Sequence, residues 1–303
     1  MDNKIYKLLT EIVGINQVLV DEPMKNHTSF KIGGPVDFMV LPKTIDEIKN
    51  IVSLSNTEGL PLFIMGNGSN LLVRDKGIRG LVIKIAKNFS NIEIIGERVI
   101  TQSGVLLSGL AKLLLRNELT GFEFASGIPG TLGGAVTMNA GAYGGEMKDV
   151  LEKIEVMDKE GNISELKGSD MQLGYRKSAI QEYNLIALSA TMKLQKGKYE
   201  DIKAKMEDLD IRRKSKQPLD WPSAGSTFRR PEGYYAGKLV QDAGLKGLSM
   251  GRAQVSDLHS GFVINKGDAT AEEIITLIRY IQSKVKEKFG VNLQTEVKII
   301  GEE

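Results

Sequence analysis

The alternation of apolar and polar residues divides the chain into three stretches with different periods. Up to about Gly77, an amphipathic helical pattern is followed by a strand, a helix and a second strand, which predicts a small β-α-β unit. Between residues 81 and 194 the period is mostly two, which favours strands. After a strongly charged helical segment at 199–216, the chain continues with shorter elements and a long amphipathic helix at 271–288. The chain therefore combines helices and strands, and we predict an α+β fold.

The same periodicities place the individual elements and the lobes that they form. A strand pattern covers residues 37–41, 60–65, 81–85, 92–103, 154–166 (a hairpin turning at Glu160-Gly161), 185–194, 261–265 and 297–300. A helical pattern covers the N-terminal segment with Ile5, Leu8, Leu9 and Ile12 on one face, 44–58, 105–119 with Leu106, Leu110, Leu113 and Leu114 towards the core, 199–216, 236–243 and 271–288. We predict a first lobe at 1–77, to which a strand at 292–303 can return, a second lobe at 78–197, a connecting helix at 198–217 and a third lobe at 218–291.

Two glycine-rich runs interrupt these elements. The run GNGSN at residues 66–70 follows an apolar strand directly, and a denser run of glycines lies between Gly121 and Gly145. Because glycine has no side chain, such loops let backbone N–H groups approach an anion closely. Two of them predict one extended, phosphate-bearing ligand held at two places. Neither has the G-x-G-x-x-G or G-x-x-x-x-G-K-[ST] spacing, which argues against a Rossmann dehydrogenase and a P-loop ATPase.

Composition narrows the chemistry further. The chain has 303 residues, which predicts a multi-lobed enzyme, and it has no cysteine, which excludes disulfides, thiolate metal sites and a cysteine nucleophile. Its two histidines, His27 and His259, are too few for a three-histidine metal site, and no metal is expected. The N-terminus lacks the features of a secretory signal, and no segment approaches the ~20 apolar residues of a membrane span. A cytoplasmic protein is expected.

Charge gives one local signal. The net charge is only +2 and aromatic residues are sparse, so nucleic acid is not an expected partner. A basic run at Arg212, Arg213, Lys214 and Lys216 has two interpretations. It fits a solvated helix C-terminus, where the helix dipole favours cations, and it also fits a clamp for a second phosphate-bearing molecule. The charge pattern alone leaves both open.

Six motifs together carry a family resemblance. They are GNGSNLLV, SGIPGTLGGAVTMNAGAYG, GYRKS, AGSTFRRP, AGKLVQDAGLKG and the closing TEVKIIG. In this order and at these separations they closely resemble the UDP-N-acetylenolpyruvoylglucosamine reductase (MurB) family, over nearly the whole chain from Asn26 to Gly301. The short chain, without room for the tyrosine-bearing loop of the longer form, is similar to the second structural type of this family (type II).

The resemblance implies a cytoplasmic FAD-containing oxidoreductase of peptidoglycan precursor synthesis. It implies that NADPH is the hydride donor, that FAD is bound non-covalently, and that the enolpyruvyl ether of UDP-N-acetylglucosamine is reduced to UDP-N-acetylmuramate. For the fold it implies a two-lobed FAD-binding domain of the PCMH type, formed by the first and second lobes, and a separate α+β substrate-binding domain. No nucleic acid, membrane or obligate protein partner is implied.

The resemblance also assigns three catalytic residues. Hydride arriving at the terminal alkene carbon leaves negative charge beside the substrate carboxylate, which requires electrostatic stabilisation and then a proton. By the family motifs, Arg176 in GYRKS and Glu296 in TEV polarise the carboxylate and stabilise that charge, and Ser226 in AGSTF delivers the proton. Without the motifs, these residues would be interpreted as a surface arginine, a strand-edge glutamate and a turn serine.

Further positions follow from the same motifs. In FRRP, Arg229 replaces a lysine common in this motif and Arg230 stands where the longer type has asparagine, so both positions of the expected phosphate contacts depart from the family pattern. His27 is either a packed histidine, which we favour, or a neighbour of the flavin. The residues implied in substrate binding are Tyr175, Lys216 and Arg230. The residues implied in FAD binding are Gly66, Asn67, Gly68, Ser69, Asn70, Gly127, Ile128, Pro129, Gly130, Thr131, Gly133, Gly134, Asn139, Ala140 and Gly141.

Two rival functions would retain the glycine runs. A flavin-dependent oxidase of the same fold would transfer electrons to oxygen from another small substrate, and it would not need Arg176, Ser226 and Glu296 together. A non-catalytic nucleotide-binding regulator would have no need of the proton donor. Retention of all three residues therefore favours the reductase.

Overall fold

Two compact units make up the protein in the structure, a computed structural model that describes residues 3–303. Unit 1 contains the chain up to Val20, Phe38–Asn67 and Gly80–Arg212. Unit 2 contains Asp21–Asp37, Gly68–Arg79 and Arg213–Glu303. The three-lobe division expected from the sequence remains a prediction.

Helices and strands are numbered in chain order within the described residues. The helices are α1 (Asn3–Val13), α2 (Ile45–Glu58), α3 (Leu107–Arg116), α4 (Leu132–Thr137), α5 (Ala179–Glu182), α6 (Tyr199–Lys216), α7 (Ala236–Asp242) and α8 (Ala271–Phe289). The strands are β1 (Val18–Pro23), β2 (Pro35–Val40), β3 (Leu62–Met65), β4 (Leu71–Val73), β5 (Ile78–Lys84), β6 (Ile92–Ile95), β7 (Arg98–Gln102), β8 (Leu119–Thr120), β9 (Gly141–Ala142), β10 (Gly145–Glu146), β11 (Leu151–Met157), β12 (Ile163–Lys167), β13 (Ile186–Lys193), β14 (Gln195–Lys196), β15 (Ser249–Met250), β16 (Ala253–Val255), β17 (Val263–Asn265) and β18 (Lys298–Ile300).

The longer helices begin and end where local chemistry favours it. At the start of α8, Thr270 accepts a hydrogen bond from the Glu273 backbone while the Glu273 carboxylate accepts one from the Thr270 backbone, which is a capping box. The helix ends at Gly290, whose φ of 69° suits glycine. In α2 the Thr44 hydroxyl caps the first turn and Gly59, with a φ of 64°, follows the last. Sequence signals of this kind explain why the predicted bounds of α2 and α8 agree closely with the observed ones.

Unit 1 carries the large antiparallel sheet of the protein. Its strand order is β12-β11-β13-β7-β6, and α3 and α4 contribute apolar residues to the core beneath it. A four-stranded sheet has the order β1-β2-β5-β3, in which β3 and β5 pair in parallel. Helices α1 and α2 pack their apolar faces on this second core, which includes Leu9, Ile48 and Leu81. The loops that follow β3 and precede α4 are thereby fixed at both ends by packed elements.

Unit 2 is organised around α8. The three-stranded antiparallel sheet β15-β16-β17 and helix α7 share a core with α8, in which Val240, Val255, Ile274 and Ile278 are buried. The terminal strand β18 pairs in parallel with β4, so that Lys298 lies opposite Leu71. This pairing joins the segment after the GNGSN run to the end of the chain.

Three sequence-based assignments were wrong in detail. The segment 92–103, predicted as one strand, is a hairpin of β6 and β7, because Gly96 adopts a φ of 62° and Ile95 pairs with Arg98. Helix α3 begins at Leu107, and Leu106, predicted to face the core, is 47% exposed while Leu107 is buried. Several short elements were not predicted at all, because two- and three-residue strands have no periodicity to detect.

Candidate functional site

The start of the first glycine-rich run, Gly66 and Asn67, meets the second run within unit 1. We call residues 66–70 the first glycine loop and residues 126–134 the second glycine loop. The Asn67 side-chain amide donates to the Pro129 carbonyl at 2.8 Å. A Cβ at Gly66 would lie 2.2 Å from the Thr131 hydroxyl oxygen, so only glycine allows this approach. The prediction that both runs serve one site is therefore supported by direct contact between them.

Backbone donors remain open in the first glycine loop. Among the hydrogen bonds of the described chain, none uses the backbone N–H of residues 66–70 as its donor. Most backbone N–H groups in a folded protein have a partner, and successive free ones form an anion-binding concavity. This loop therefore has the donor set that a diphosphate requires.

The second glycine loop is held by neighbouring backbone. The N–H groups of Leu132 and Gly133 donate to the carbonyls of Val105 and Ser103, at 2.8 and 2.7 Å. A Cβ at Gly133 would lie 2.8 Å from the Ser103 Cβ. These glycines thus permit close packing against the end of β7.

Asn139 connects the end of α4 to the turn that carries Arg176. Its buried side-chain amide donates to Glu146 at 2.6 Å and to the Gly174 carbonyl at 3.1 Å, and its carbonyl oxygen accepts from the Lys148 backbone at 2.9 Å. Asn139 has a φ of 40°, in the left-handed region that asparagine tolerates better than most residues. Asn139, which was predicted to bind FAD, therefore holds three backbone and side-chain groups in place around the end of α4.

Arg176 lies at the tip of a tight turn. The turn is closed by a bridge between Gly174 and Lys177, and Arg176 has a φ of 53°, which is uncommon for a residue with a long side chain. Its carbonyl accepts from the Gln181 side chain at 3.2 Å. The guanidinium lies 5.2 Å from the centre of the Tyr175 ring, so two of the predicted residues are in contact.

The serine and the glutamate are brought together within unit 2. Ser226 is exposed, and the next residue, Thr227, is buried and accepts through its carbonyl a hydrogen bond from the Glu296 backbone at 2.8 Å. The Asn70 side chain donates to the Glu296 carbonyl at 3.1 Å. The last residue of the first glycine loop, the predicted proton donor and the predicted acid are therefore neighbours.

The segment around Ser226 is fixed from two sides. The Thr227 N–H donates to the Gly261 carbonyl at 2.8 Å, and its hydroxyl accepts from the Val263 N–H at 3.0 Å. Phe228 is buried and bridges Thr295. A serine hydroxyl is thus presented to solvent on a rigid backbone, which sequence reasoning did not foresee because Thr227 gives no distinctive signal.

Lys216, Arg230 and His27 lie elsewhere in unit 2, and Arg212 lies at the end of unit 1. Arg230 stacks on the Tyr235 ring at 4.5 Å, and Tyr235 is 66% exposed. Lys216 is exposed at the last residue of α6. His27 contacts Glu22 at 2.9 Å with its side chain 13% exposed, in agreement with the packed interpretation. Arg212 pairs with Asp208 on the helix surface.

Electrostatics mark one more group near Glu296. Partial burial and the nearby Arg229 guanidinium lower the pKa of the Lys298 amine. At residues 3–303, no cluster of histidine or acidic side chains could hold a metal ion. In the same part of the chain, no helix has both the length and the apolar character to cross a membrane.

Two family models match the chain. The FAD-binding domain model matches residues 36–167, and the model of the C-terminal domain of UDP-N-acetylenolpyruvoylglucosamine reductase matches residues 217–300. The first of these covers both glycine loops and Asn139. The second covers Ser226, Arg230 and Glu296.

Whole-chain comparisons agree with the models. The chain is 56% identical over 300 residues to the UDP-N-acetylenolpyruvoylglucosamine reductase of Alkaliphilus oremlandii, covering 99% of both proteins. It is 55% identical over 304 residues to the enzyme of the same name from Clostridioides difficile, covering all of both. Among solved structures, the reductase (MurB) of Thermus caldophilus matches with a TM-score of 0.80 at 34% identity, covering 93% of this chain and 98% of the other.

These comparisons test the sequence-based predictions of fold and cofactor. The predicted α+β fold with an FAD-binding domain is confirmed, and so is the FAD cofactor. The open donors at residues 66–70 and the glycine contacts at Gly66 agree with a site that holds FAD. Identity above 50% over the full length leaves one family: the chain belongs to the UDP-N-acetylenolpyruvoylglucosamine reductases.

Proposed function

We propose that the protein reduces the enolpyruvyl ether of UDP-N-acetylglucosamine to UDP-N-acetylmuramate, with NADPH as the electron source. The observation that carries this proposal is the hydrogen-bonded segment in which Asn70, Ser226 and Glu296 lie together in unit 2. The proposal also uses the full-length similarity to reductases of this name. Bound FAD supplies the hydride, which it receives from NADPH.

The binding of FAD is assigned to both glycine loops. The backbone N–H groups of residues 66–70 would bind the diphosphate, because none of them has an acceptor within the described residues. The second glycine loop would support them through Pro129 and Thr131, which contact Asn67 and Gly66. Asn139, Ala140 and Gly141 remain assigned to the same cofactor.

Two charged residues are assigned to the substrate carboxylate. Addition of hydride to the terminal alkene carbon moves the electron pair of the double bond onto the carbon beside the carboxylate. Arg176 would stabilise this negative charge from a tight turn, with its guanidinium 5.2 Å from the centre of the Tyr175 ring. Glu296 would polarise the carboxylate from the segment that Thr227 and Asn70 fix.

Ser226 is assigned to the final proton transfer. The serine hydroxyl is a weak acid, but the carbanion is far more basic, so transfer runs downhill once the two atoms are held in contact. Exposure of Ser226 on a rigid segment meets that requirement. The proton moves from Oγ to carbon, the C–H bond forms, and the serine is reprotonated from solvent.

Substrate binding is assigned to Tyr175, Lys216 and Arg230. The stacked Arg230 and Tyr235 pair offers a flat surface with guanidinium donors, which suits a nucleotide. We further propose a cytoplasmic location, because NADPH and nucleotide sugars are cytoplasmic metabolites. The alternative of a flavin-dependent oxidase is not favoured, since the full-length relatives are reductases.

The replacement of Ser226 by alanine tests the mechanism. In anaerobic rapid mixing, reduction of bound FAD by NADPH should continue at the wild-type rate, while reoxidation by the enolpyruvyl substrate should slow by about 10²- to 10⁴-fold. Ser249→Ala, at another exposed serine of unit 2, is the matched control and should leave both steps unchanged. Substrate turnover by Ser226→Ala near the wild-type rate would show that another group is the proton donor.

A further inference from the structure

The turn that carries Arg176 is attached to the C-terminal end of α4 within unit 1. The carbonyl of Thr137, the last residue of α4, accepts from the Ser178 hydroxyl and from the Gln181 side-chain amide, each at 2.6 Å. The same nitrogen of Gln181 also donates to the Arg176 carbonyl at 3.2 Å. One side chain therefore holds the last carbonyl of α4 and the carbonyl of Arg176 together.

Arg176 has a backbone conformation that needs such support. Gly174 and Lys177 bridge each other, so the turn has two central residues, and only Arg176 of these two has a positive φ, 53°. Glycine or asparagine is usual at such a position. Another residue persists there only where the surrounding contacts hold it. The bond from Gln181 is a contact of this kind, and it acts on the carbonyl of Arg176 itself.

The contacts made by the two residues after Gln181 lie further out. Glu182 pairs with Lys177 at 3.1 Å, and both side chains are about half exposed. Tyr183, which is 59% exposed, accepts a hydrogen bond from the Gln172 side chain at 2.9 Å. Exposed pairs of this kind add little to stability. The bonds of Gln181 are partly buried, and they are therefore the ones expected to fix Arg176.

Helix α4 connects this anchor to the second glycine loop. At its start, the Thr131 hydroxyl accepts from the Gly134 N–H, and the Gly133 N–H donates to the Ser103 carbonyl at 2.7 Å. The helix has six residues, which corresponds to a length of about 9 Å. Because a helix keeps its length, the bonds of Gln181 hold the Arg176 turn at a fixed distance from a loop that is assigned to FAD.

We propose that Gln181 is a positioning residue, which holds Arg176 in the orientation that stabilises the negative charge formed on the substrate. The inference rests on the proposed function and adds a residue outside the six motifs, three positions after GYRKS. A cation stabilises a developing charge only when it is held in place beforehand. A displacement of about 1 Å can slow a reaction by about 10²-fold. Loss of Gln181 should therefore slow the reduction of the substrate and not the reduction of FAD.

The variant Gln181→Met tests this inference, because it removes the amide and keeps the length of the side chain. In anaerobic rapid mixing at saturating substrate, reoxidation of reduced FAD by the enolpyruvyl ether should slow by about 10- to 100-fold. Reduction of FAD by NADPH and the Kd for FAD should stay within about twofold of wild type, because neither depends on the charge that Arg176 stabilises. Tyr183→Phe removes only the exposed hydrogen bond from Gln172 and is the matched control, with both half-reactions unchanged.

A double-mutant cycle with Arg176→Met distinguishes positioning from a general structural role. If Gln181 acts through Arg176, Gln181→Met should slow reoxidation by less than about twofold in the Arg176→Met background. A residue that supported the fold in general would slow reoxidation by the same factor in both backgrounds. That result would overturn the proposal.

A second variant, Gln181→Asn, covers the case in which Gln181→Met does not fold. It keeps an amide at this partly exposed position, but its side chain is one methylene shorter and no longer reaches both carbonyls. Reoxidation should again slow selectively. Reoxidation by Gln181→Asn at the wild-type rate would overturn the proposal, and so would weaker FAD binding with equal slowing of both half-reactions, which would assign Gln181 to the cofactor loop.

The wild-type protein separates failure of this inference from failure of the proposed function. If the enolpyruvyl ether does not reoxidise reduced FAD in the wild-type protein, the proposed reaction is wrong, and the inference about Gln181 is wrong with it. If the wild-type protein turns over and the Gln181 variants show no selective loss of reoxidation, the inference alone is wrong.

Discussion

The two glycine loops have similar compositions but use their backbones differently. The N–H groups of residues 66–70 donate to no acceptor in the described chain. In the second glycine loop, Leu132 and Gly133 donate to the carbonyls of Val105 and Ser103. The first glycine loop therefore leaves its backbone donors open. The second uses those of Leu132 and Gly133 in packing and leaves those of Gly127, Gly130 and Thr131 without an acceptor in the described chain. A glycine-rich sequence by itself does not distinguish a binding loop from a close-packed one.

This difference between the two glycine loops leads to a general expectation for the stability and the FAD affinity of their variants. Changes in the second glycine loop should reduce stability more than FAD affinity, because its glycines and donors serve the fold. Changes in the first glycine loop should reduce FAD affinity more than stability.

The largest effect is expected at Gly133. In Gly133→Ala the new Cβ would lie 2.8 Å from the Ser103 Cβ and 3.2 Å from the Ser103 carbonyl oxygen, so the end of β7 must shift. We expect a loss of about 2–3 kcal/mol in the free energy of unfolding, as for other overpacked sites. Urea denaturation of the FAD-free protein measures it.

Gly134 offers a matched control one residue along the same helix. A Cβ there meets only the Thr131 hydroxyl at 3.8 Å, and the position is exposed. Gly134→Ala should leave stability unchanged or raise it by about 0.5–1 kcal/mol, because alanine favours a helix. If both variants lost the same stability, close packing of Gly133 would not be the reason for glycine in this loop.

A smaller effect is expected at Glu123, which anchors the approach to the second glycine loop. Its buried carboxylate accepts from the Thr120 hydroxyl at 2.6 Å and pairs with Lys205 at 3.2 Å. Burial opposes its ionisation, but the hydrogen bonds from Thr120 and Lys205 prevail, and the pKa of Glu123 is lowered. Glu123→Gln should cost about 1–2 kcal/mol at neutral pH.

The pH dependence of that cost has a definite sign. A lowered pKa contributes stability that is fully present above the ordinary value of 4.5 and is lost as the pH falls through the lower value in the folded protein. The unfolding free energies of wild type and Glu123→Gln should therefore converge as the pH falls from 6 into that acidic range. A constant difference across this range would show that the carboxylate gains nothing from its ionisation.

Pattern predicted the longer elements of the fold better than the contacts between residues, and the roles of the candidate site residues stay predictions. Helices α2 and α8 carry capping signals and long apolar faces, so their positions follow from local chemistry. The hairpin at Gly96 was missed because both of its strands have the same period and a single glycine separates them. Leu106 was predicted to face the core in place of Leu107, because the exact first residue of a helix depends on the tertiary contacts of its first turn.

The contacts within the site depend on residues distant in sequence. Nothing local indicates that Asn139 bonds Gly174, or that Asn70 bonds Glu296 from more than 200 positions away. The buried Arg229 Nε atom, which makes no hydrogen bond in the described residues, was likewise not predicted, because a sequence shows which residues are charged and not which partners they lack. Motif order substitutes for this information only where a family has preserved the arrangement.

The smallest effect on stability, and the sharpest contrast, is expected at Asn67. Asn67→Ala removes the hydrogen bond from the side chain to the Pro129 carbonyl, which is a partly exposed contact between the two glycine loops. The free energy of unfolding should fall by only about 0.5 kcal/mol. The Kd for FAD should rise by about three- to tenfold, where tenfold corresponds to about 1.4 kcal/mol. The reason is that the open N–H groups of residues 66–70 bind well only while the loop is held in one conformation. Gly133→Ala should show the reverse, with a large loss of stability and a smaller change in Kd once the protein is folded. Fluorescence titration of the FAD-free proteins with FAD measures Kd for each variant, and urea denaturation measures the free energy of unfolding. An equal ratio of affinity loss to stability loss in Asn67→Ala and Gly133→Ala would mean that the two loops contribute to FAD binding and to stability in the same proportion.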